Sequence, residues 1–364
     1  MKQHLHSLKA FFERYEEPLL WGFFVIGFVW DNIFVTRPDV IRDHILLSFY
    51  FFVGGATIII LNLHEARRLK TERMQKYATY LPFVLQFVFG GMFNVYVILY
   101  TRSGSIIGSW PFLLVLVAVL FGNEYLRKRY ERFAFRVSIY FTAILSYMIF
   151  LVPVLIHRMG DLVFIGSGLV SLVFIGIFFY IAAFFVPGQL QQAKKILFVS
   201  IGGIYLAFNI FYFTNLIPPL PLALKESGIY HKITPNVGGG YTVSAEPAPW
   251  YLPWRETSLT YHRYANEPVY FFSAVFAPTK LNVKILHRWS YYNAQQQKWV
   301  TAALLEYPIA GGRDGGYRGY SMKSSVGPGK WRVDVITERG QILGRTSFTV
   351  VQSDTNPGVR IGVK

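Results

Sequence analysis

The chain has 364 residues, of which 53% are hydrophobic and 18% aromatic, with a mean hydropathy of +0.34. Because the apolar residues come in long uncharged runs, this composition excludes an ordinary soluble protein, and the length leaves room for two folding units. The net charge is +16 and there is no cysteine, which excludes disulfides, thiolate metal sites and cysteine nucleophiles.

A hydrocarbon core of about 30 Å takes roughly 20 mostly apolar residues as a helix. Seven stretches meet that need: Pro18–Thr36, Ile41–Leu63, Tyr80–Thr101, Ile106–Tyr125, Phe133–Ile156, Leu162–Phe185 and Ile196–Ile217. They predict a seven-span α-helical membrane bundle over residues 1–217. No small-residue cleavage site follows the first stretch, so it reads as a retained anchor. Lys and Arg concentrate in the N-terminal tail and in alternate loops, 15 there against 4 in the others. Short loops rich in these residues stay in the cytoplasm. The N-terminus is therefore expected inside, and seven crossings place everything after Ile217 outside. In a Gram-negative bacterium this is the periplasmic side of the inner membrane.

Asp31 lies within the first stretch, about 8 Å from its outer end at 1.5 Å per residue. A charge there needs a partner or a function. Arg37, Arg42 and Arg102 are the partners within reach, and a substrate or proton path is the other reading. Asn32, Asn94 and Asn209 recur at similar depth in three spans that run the same way, each followed by a threonine (Thr36, Thr101, Thr214). With Asp31, Arg37 and Arg102 they define a candidate polar site inside the membrane region. Asp39, Asp43, His44, His157, Arg158 and Asp161 collect at the outer ends, where an acid beside a histidine supports acid–base chemistry. Solvated loop ends have the same composition.

After Ile217 the prolines Pro218, Pro219 and Pro221 stop the last helix. Residues 218–262 read as a connector with weak strand signals, Gly238-Gly239-Gly240 and an aromatic knot of Trp250, Tyr251 and Trp254. From Glu267 onward period-two alternation marks strands with one buried face. Ile285, His287 and Trp289 alternate with Lys284 and Arg288; Trp331, Val333 and Val335 with Lys330, Arg332 and Asp334; Ile342, Gly344, Thr346, Phe348 and Val350 with Arg345, Ser347 and Thr349. Glu338-Arg339-Gly340 suits a hairpin turn between the last two. Further strands are expected at Val269–Phe276, Lys298–Tyr307 and Tyr317–Lys323. Together they predict an all-β, immunoglobulin-like sandwich over residues 263–353, without the disulfide, and a C-terminal tail over 354–364.

Residues 218–364 hold 17 basic and 9 acidic side chains. A basic surface facing a membrane suits anionic headgroups or acidic glycans. Arg288, Arg313, Arg318 and Lys323, with Tyr317 and Tyr320 as stacking surfaces, form the candidate ligand-binding set. Catalytic and phosphate-binding patterns are missing: His64-Glu65 begins a zinc motif, but Arg68 stands where the second histidine belongs. No catalytic residue, metal ligand or cofactor is assigned, and no nucleic-acid motif occurs.

His287-Arg288-Trp289, Gly312-Arg313, Ser321 with Lys323, Gly329-Lys330-Trp331-Arg332-Val333-Asp334-Val335, Leu343-Gly344 and Phe348-Thr349-Val350 resemble a C-terminal domain of unknown function in bacterial inner-membrane proteins. There it follows an uncharacterised multi-span region. The resemblance covers roughly 262–352 and implies an immunoglobulin-like fold in the envelope; it carries over no catalytic residue. The function expected from the sequence is binding, without catalysis, of an anionic envelope component (lipid headgroup or glycan) or a partner protein, with membrane lipids as neighbours. The alternatives are a lipid or solute transporter using Asp31 and the membrane asparagines, and a transferase or hydrolase with its site at the outer helix ends. Oligomeric state is left open.

Overall fold

The computed structural model describes Val29 and residues 41–364, apart from the segments 69–70, 79, 104–105, 126–132, 220, 238–239, 252–255, 278–281 and 311–315. Apart from Val29, the first apolar stretch, with Asp31 and Asn32, lies outside the described residues, as do Arg37, Asp39 and Arg313.

The other six apolar stretches form helices. They are α1 (Ile41–Glu65), α3 (Leu81–Ser103), α4 (Ile106–Tyr125), α5 (Phe133–Ile156), α6 (Asp161–Phe185) and α7 (Pro187–Phe213), with a short α2 (Glu72–Ala78) between α1 and α3. Among the described residues α1, α3, α5, α6 and α7 are long and apolar enough to cross a membrane. The helix α5 is central: it packs on α1, α3, α6 and α7, and its buried residues run around its circumference. A helix apolar on every side suits the inside of a bundle. Glycine allows the closest approach between α1 and α5, since a Cβ on Gly55 would stand 2.7 Å from the Tyr140 hydroxyl.

The start of α7 differs from the expected Ile196. Pro187 occupies the first turn, where a missing N–H costs nothing, so the helix begins after the single residue Val186. Its 27 residues make about 40 Å at 1.5 Å per residue. That exceeds the apolar core, so the turns bearing Gln191, Lys194 and Lys195 extend toward the polar side rather than forming a loop.

The C-terminal region holds eleven strands among the described residues, in three sheets. The three-stranded sheet β1-β5-β8 joins Ala223–Tyr230, Val269–Phe276 and Tyr317–Lys323. The five-stranded sheet has the order β4-β10-β9-β6-β7, from Thr260–Tyr264, Ile342–Ser353, Gly329–Thr337, Asn282–Asn293 and Lys298–Ala310. A third, smaller sheet joins β11 (Arg360–Val363), β3 (Tyr241–Ala245) and β2 (Lys232–Pro235). All pairs are antiparallel except β4 with β10. The six expected strands stand where alternation puts them. Four further strands rise from the expected connector and one from the expected tail, and β1 and β4 join the larger sheets.

The two larger sheets share one buried cluster: Ile229, Phe271 and Val275 from one, and Ile285, Trp289, Val333, Val335 and Phe348 from the other. On the far side of β5, Phe272 and Ala274 pack with Tyr230, Ile233 and Val243 in a satellite cluster. Buried on both faces, β5 reads as a continuous apolar run, whereas its neighbour β8 alternates in its middle.

Within the main cluster His287 is fully buried, as its alternation with Arg288 predicts. Its partners are hydroxyls rather than a backbone carbonyl. Nε2 lies 2.8 Å from Ser273 Oγ and Nδ1 2.8 Å from Ser321 Oγ; Ser321 also accepts the Trp289 indole N–H at 3.0 Å. Tyr307 closes the network onto Ser273 at 2.5 Å. Burial lowers the His287 pKa to about 3, so the ring is neutral and structural.

The β9–β10 hairpin, turned by Gly340 at φ +82°, rests on the ends of α6 and α7. Arg339 pairs with Asp161 and lies over the Tyr212 ring, 4.3 Å from its centroid. Asn215 donates to the Arg339 carbonyl at 3.1 Å, and Gln341 donates to the Ile217 carbonyl at 3.2 Å. These contacts fasten the β region to one end of the bundle.

Candidate functional site: the arginine face of the five-stranded sheet

Strands β6, β9 and β10 are neighbours, so their register decides which outward side chains meet. Arg288 on β6 and Arg345 on β10 both stand opposite Asp334 on β9. Arg288 reaches Asp334 Oδ2 through Nη2 at 2.8 Å; Arg345 reaches Oδ1 through Nε at 2.5 Å and Oδ2 through Nη2 at 3.0 Å. The carboxylate is fully buried beneath the two guanidinium groups. Burial alone would raise the Asp334 pKa, but the hydrogen bonds from Arg345 and Arg288 outweigh it and hold it below its ordinary value.

One cross-strand row further, Arg332 stands between Ser290 and Ser347. Its guanidinium lies 4.5 Å from the Trp299 ring centroid, and Trp299 in turn meets Tyr292 at 5.5 Å. The Nε of Arg332 is buried without a hydrogen-bond partner. Burial and the nearby Arg345 charge lower its pKa from the ordinary value. Three guanidinium groups thus stand near one carboxylate, which two of them hold, beside an aromatic wall. An excess of fixed cations with an unmet donor is the arrangement an anion stabilises.

The sequence-expected residues are distributed over both large sheets. Arg288 belongs to this face. Arg318, Tyr317, Tyr320 and Lys323 lie on β8, in the other sheet. Tyr317 packs against the main core, and Tyr320 meets the rings of Tyr241 and Tyr270 at 5.5 and 6.2 Å. Arg318 is exposed, and its carbonyl accepts from the Tyr241 hydroxyl at 3.3 Å. Lys323 comes nearer the arginine face, lining a cavity of about 320 Å³ with Tyr292, Lys330 and Trp331. In the bundle, Asn94 is buried, while Asn209 donates to the Tyr205 carbonyl of its own helix at 2.8 Å. Thr101 and Thr214 likewise bond the carbonyls four residues back, Val97 and Ile210. Arg102 falls in the last turn of α3. Of the outer-end residues, His44 lies beside Tyr147, Asp161 belongs to the hairpin contact, and His157 and Arg158 are exposed.

A second polar cluster has no local sequence signal, because its members are far apart in the chain. His231 sits between two carboxylates, with Nδ1 2.6 Å from Glu267 Oε1 and Nε2 3.1 Å from Glu246 Oε1. Glu246 also accepts from the backbone N–H of His262 at 2.7 Å, and its other oxygen lies 2.7 Å from His262 Nδ1. The His231 ring stacks on Tyr261 at 4.2 Å. Burial works against a charged His231, yet hydrogen bonds and charge from Glu246 and Glu267 raise its pKa above the ordinary value. Among the described residues, no group of three or more His, Asp or Glu side chains is placed to hold a metal ion.

Residues 282–350 match the model of a family described as "Protein of unknown function (DUF2914)". That segment holds β6, β7, β8, β9 and most of β10, including all three arginines of the face. No curated protein matches the chain. Among solved structures, an alkylpurine DNA glycosylase of Pseudomonas fluorescens bound to DNA with an abasic site analogue matches at 10% identity, over 87% of this chain and 100% of that one. Its TM-score of 0.20 carries no argument about fold or function. Over residues 282–350 the chain is therefore similar to a family of unknown function, and five helices long and apolar enough to cross a membrane precede that segment among the described residues.

Proposed function

We propose that this chain is a bacterial inner-membrane protein with a cytoplasmic N-terminus, carrying an immunoglobulin-like sandwich on the periplasmic side that binds an anionic envelope component without catalysing a reaction. The loop charges support the orientation, and the core shared by the two larger sheets supports the sandwich. The observation that carries the binding role is the cluster of Arg288, Arg332 and Arg345 around the single carboxylate of Asp334, with Trp299 beside it. Phosphate and carboxylate groups match a guanidinium fork, and sugar rings stack on indole.

Native mass spectrometry of the full-length protein, gently extracted from its membrane, tests this reading. The wild type should retain an anionic adduct. Arg332→Gln, which leaves both Asp334 pairs in place, should lower its occupancy about tenfold, the worth of one charge-assisted contact. Unchanged occupancy in Arg332→Gln and in Arg345→Gln would remove the proposal.

A further inference from the structure

Where the hairpin meets the bundle, a cavity of about 350 Å³ opens between the two regions. Its floor is apolar and belongs to the helix ends: Pro153, Val163, Phe164, Tyr212 and Ile217. Its roof is the sheet end, with Lys284, Glu338, Arg339 and Gln341. The roof charges are already balanced: Lys284 stands 3.6 Å from Glu338 and 3.9 Å from Glu306, and Arg339 pairs with Asp161. The Nε of Arg339 remains buried without a partner, a donor that an ester or phosphate oxygen would satisfy. An apolar floor at the level where the spans end, below a polar roof with no net charge, fits the acyl part of a lipid rather than an anionic head.

The uncompensated charge begins higher on the same face. Lys284 and Arg288 are four residues apart on β6, so both point outward, separated by about 13 Å at 3.4 Å per residue. Arg345 shares the row of Arg288, and Arg332 lies one row beyond. The headgroup layer of a bilayer is only about 5–7 Å thick on each side. The head of a plain phosphoglyceride seated in the cavity is too short to reach the arginines.

The geometry points to a lipid with an extended anionic head, of the class of lipid-linked phosphorylated or acidic sugars, whose acyl part lies in the junction cavity while its charged sugar reaches Arg288, Arg345 and Arg332. This deepens the binding role proposed above and rests on it. The cavity adds a second point of attachment, so the intact lipid binds more tightly than its detached head.

The test uses the full-length protein in nanodiscs and three probes. They are a lipid with a phosphorylated disaccharide head and a diazirine in its acyl chain, a diazirine-bearing phosphatidylglycerol, and the free phosphorylated disaccharide. The first probe should label peptides containing Met159–Phe164 and Ile217 and should bind about 100-fold more tightly than the free sugar. Val163→Trp, or Met159→Trp as a second filling variant, should abolish this labelling and leave binding of the free sugar unchanged. Arg332→Gln should weaken both sugar-bearing probes. Equal labelling by phosphatidylglycerol, or equal affinity for the free and lipid-linked sugar, overturns the extended-lipid assignment while leaving the arginine site standing. Binding of every probe unaffected by Arg332→Gln overturns both.

Discussion

At the scale of single residues, the side chains that titrate and those that do not are separated by what surrounds them. His287 and His231 are both buried, but the first faces only hydroxyls and the second two carboxylates. Their pKa values are therefore driven in opposite directions from an ordinary value of about 6.5. For His231 the folded-state value is the higher one. Its contribution to stability is whole below the unfolded value and is lost as pH rises through the raised folded value. Glu246 behaves in the reverse sense. Burial would raise it, but hydrogen bonds from His231 and His262 lower it, so its contribution is present above its unfolded value and lost as pH falls. Thermal melts should thus show a plateau from about pH 5 to about pH 7, falling on both sides. His231→Phe should flatten the alkaline fall and also shrink the acid one, leaving the part that His262 holds on Glu246; an unchanged alkaline limb would show that another group is responsible. NMR titration should find the His287 ring shifts constant from about pH 5 upward.

At the scale of elements, β6 ties the core to the candidate site, because one strand presents His287 and Trp289 inward and Arg288 outward. Trp289 meets Phe271 and Phe348 at 6.2 and 6.3 Å and is fully buried. Trp289→Ala should cost about 3–5 kcal/mol, read as a lower denaturant midpoint of the β region; a loss below about 1 kcal/mol would mean that the sheets close over the gap. The strand itself was legible in the sequence, as were β5 and β7 to β10, because half-buried strands alternate and a doubly covered one is continuously apolar. The strands β1 to β4 were not: Ala223–Tyr230 carries Lys225, Glu226 and Gly228, and its partner is β5, far along the chain. The arginine face was half legible. Alternation already placed Arg288, Arg332, Asp334 and Arg345 outward, but the register that sets both arginines opposite Asp334 is a property of pairing between strands. For the same reason Arg318 and Lys323, close to Arg313 in sequence, lie on another sheet from Arg288.

At the scale of the whole molecule, the junction decides whether the two regions move together. Arg339 contributes an ion pair with Asp161 and a ring contact with Tyr212, and side-chain amides bind two backbone carbonyls across the boundary. Arg339→Ala should speed hydrogen exchange of the backbone around Leu216–Leu222 by about 5- to 30-fold, with the sheets unaffected, since about 1–2 kcal/mol of local opening free energy is lost. Unaltered exchange there would show that the amide contacts suffice. The parallel pairing of Thr260 with Thr349 also sets an order in time. The ribosome makes β4 long before β10, and β3 long before β11, so these early-made strands wait for late-made partners. The apolar run Val269–Phe276 has β1 beside it from the start and gains β8 before β10 is made. Completion of the β domain is therefore a late event in biosynthesis, and a nascent chain halted before Thr349 would present an open sheet edge to whatever holds it at the membrane.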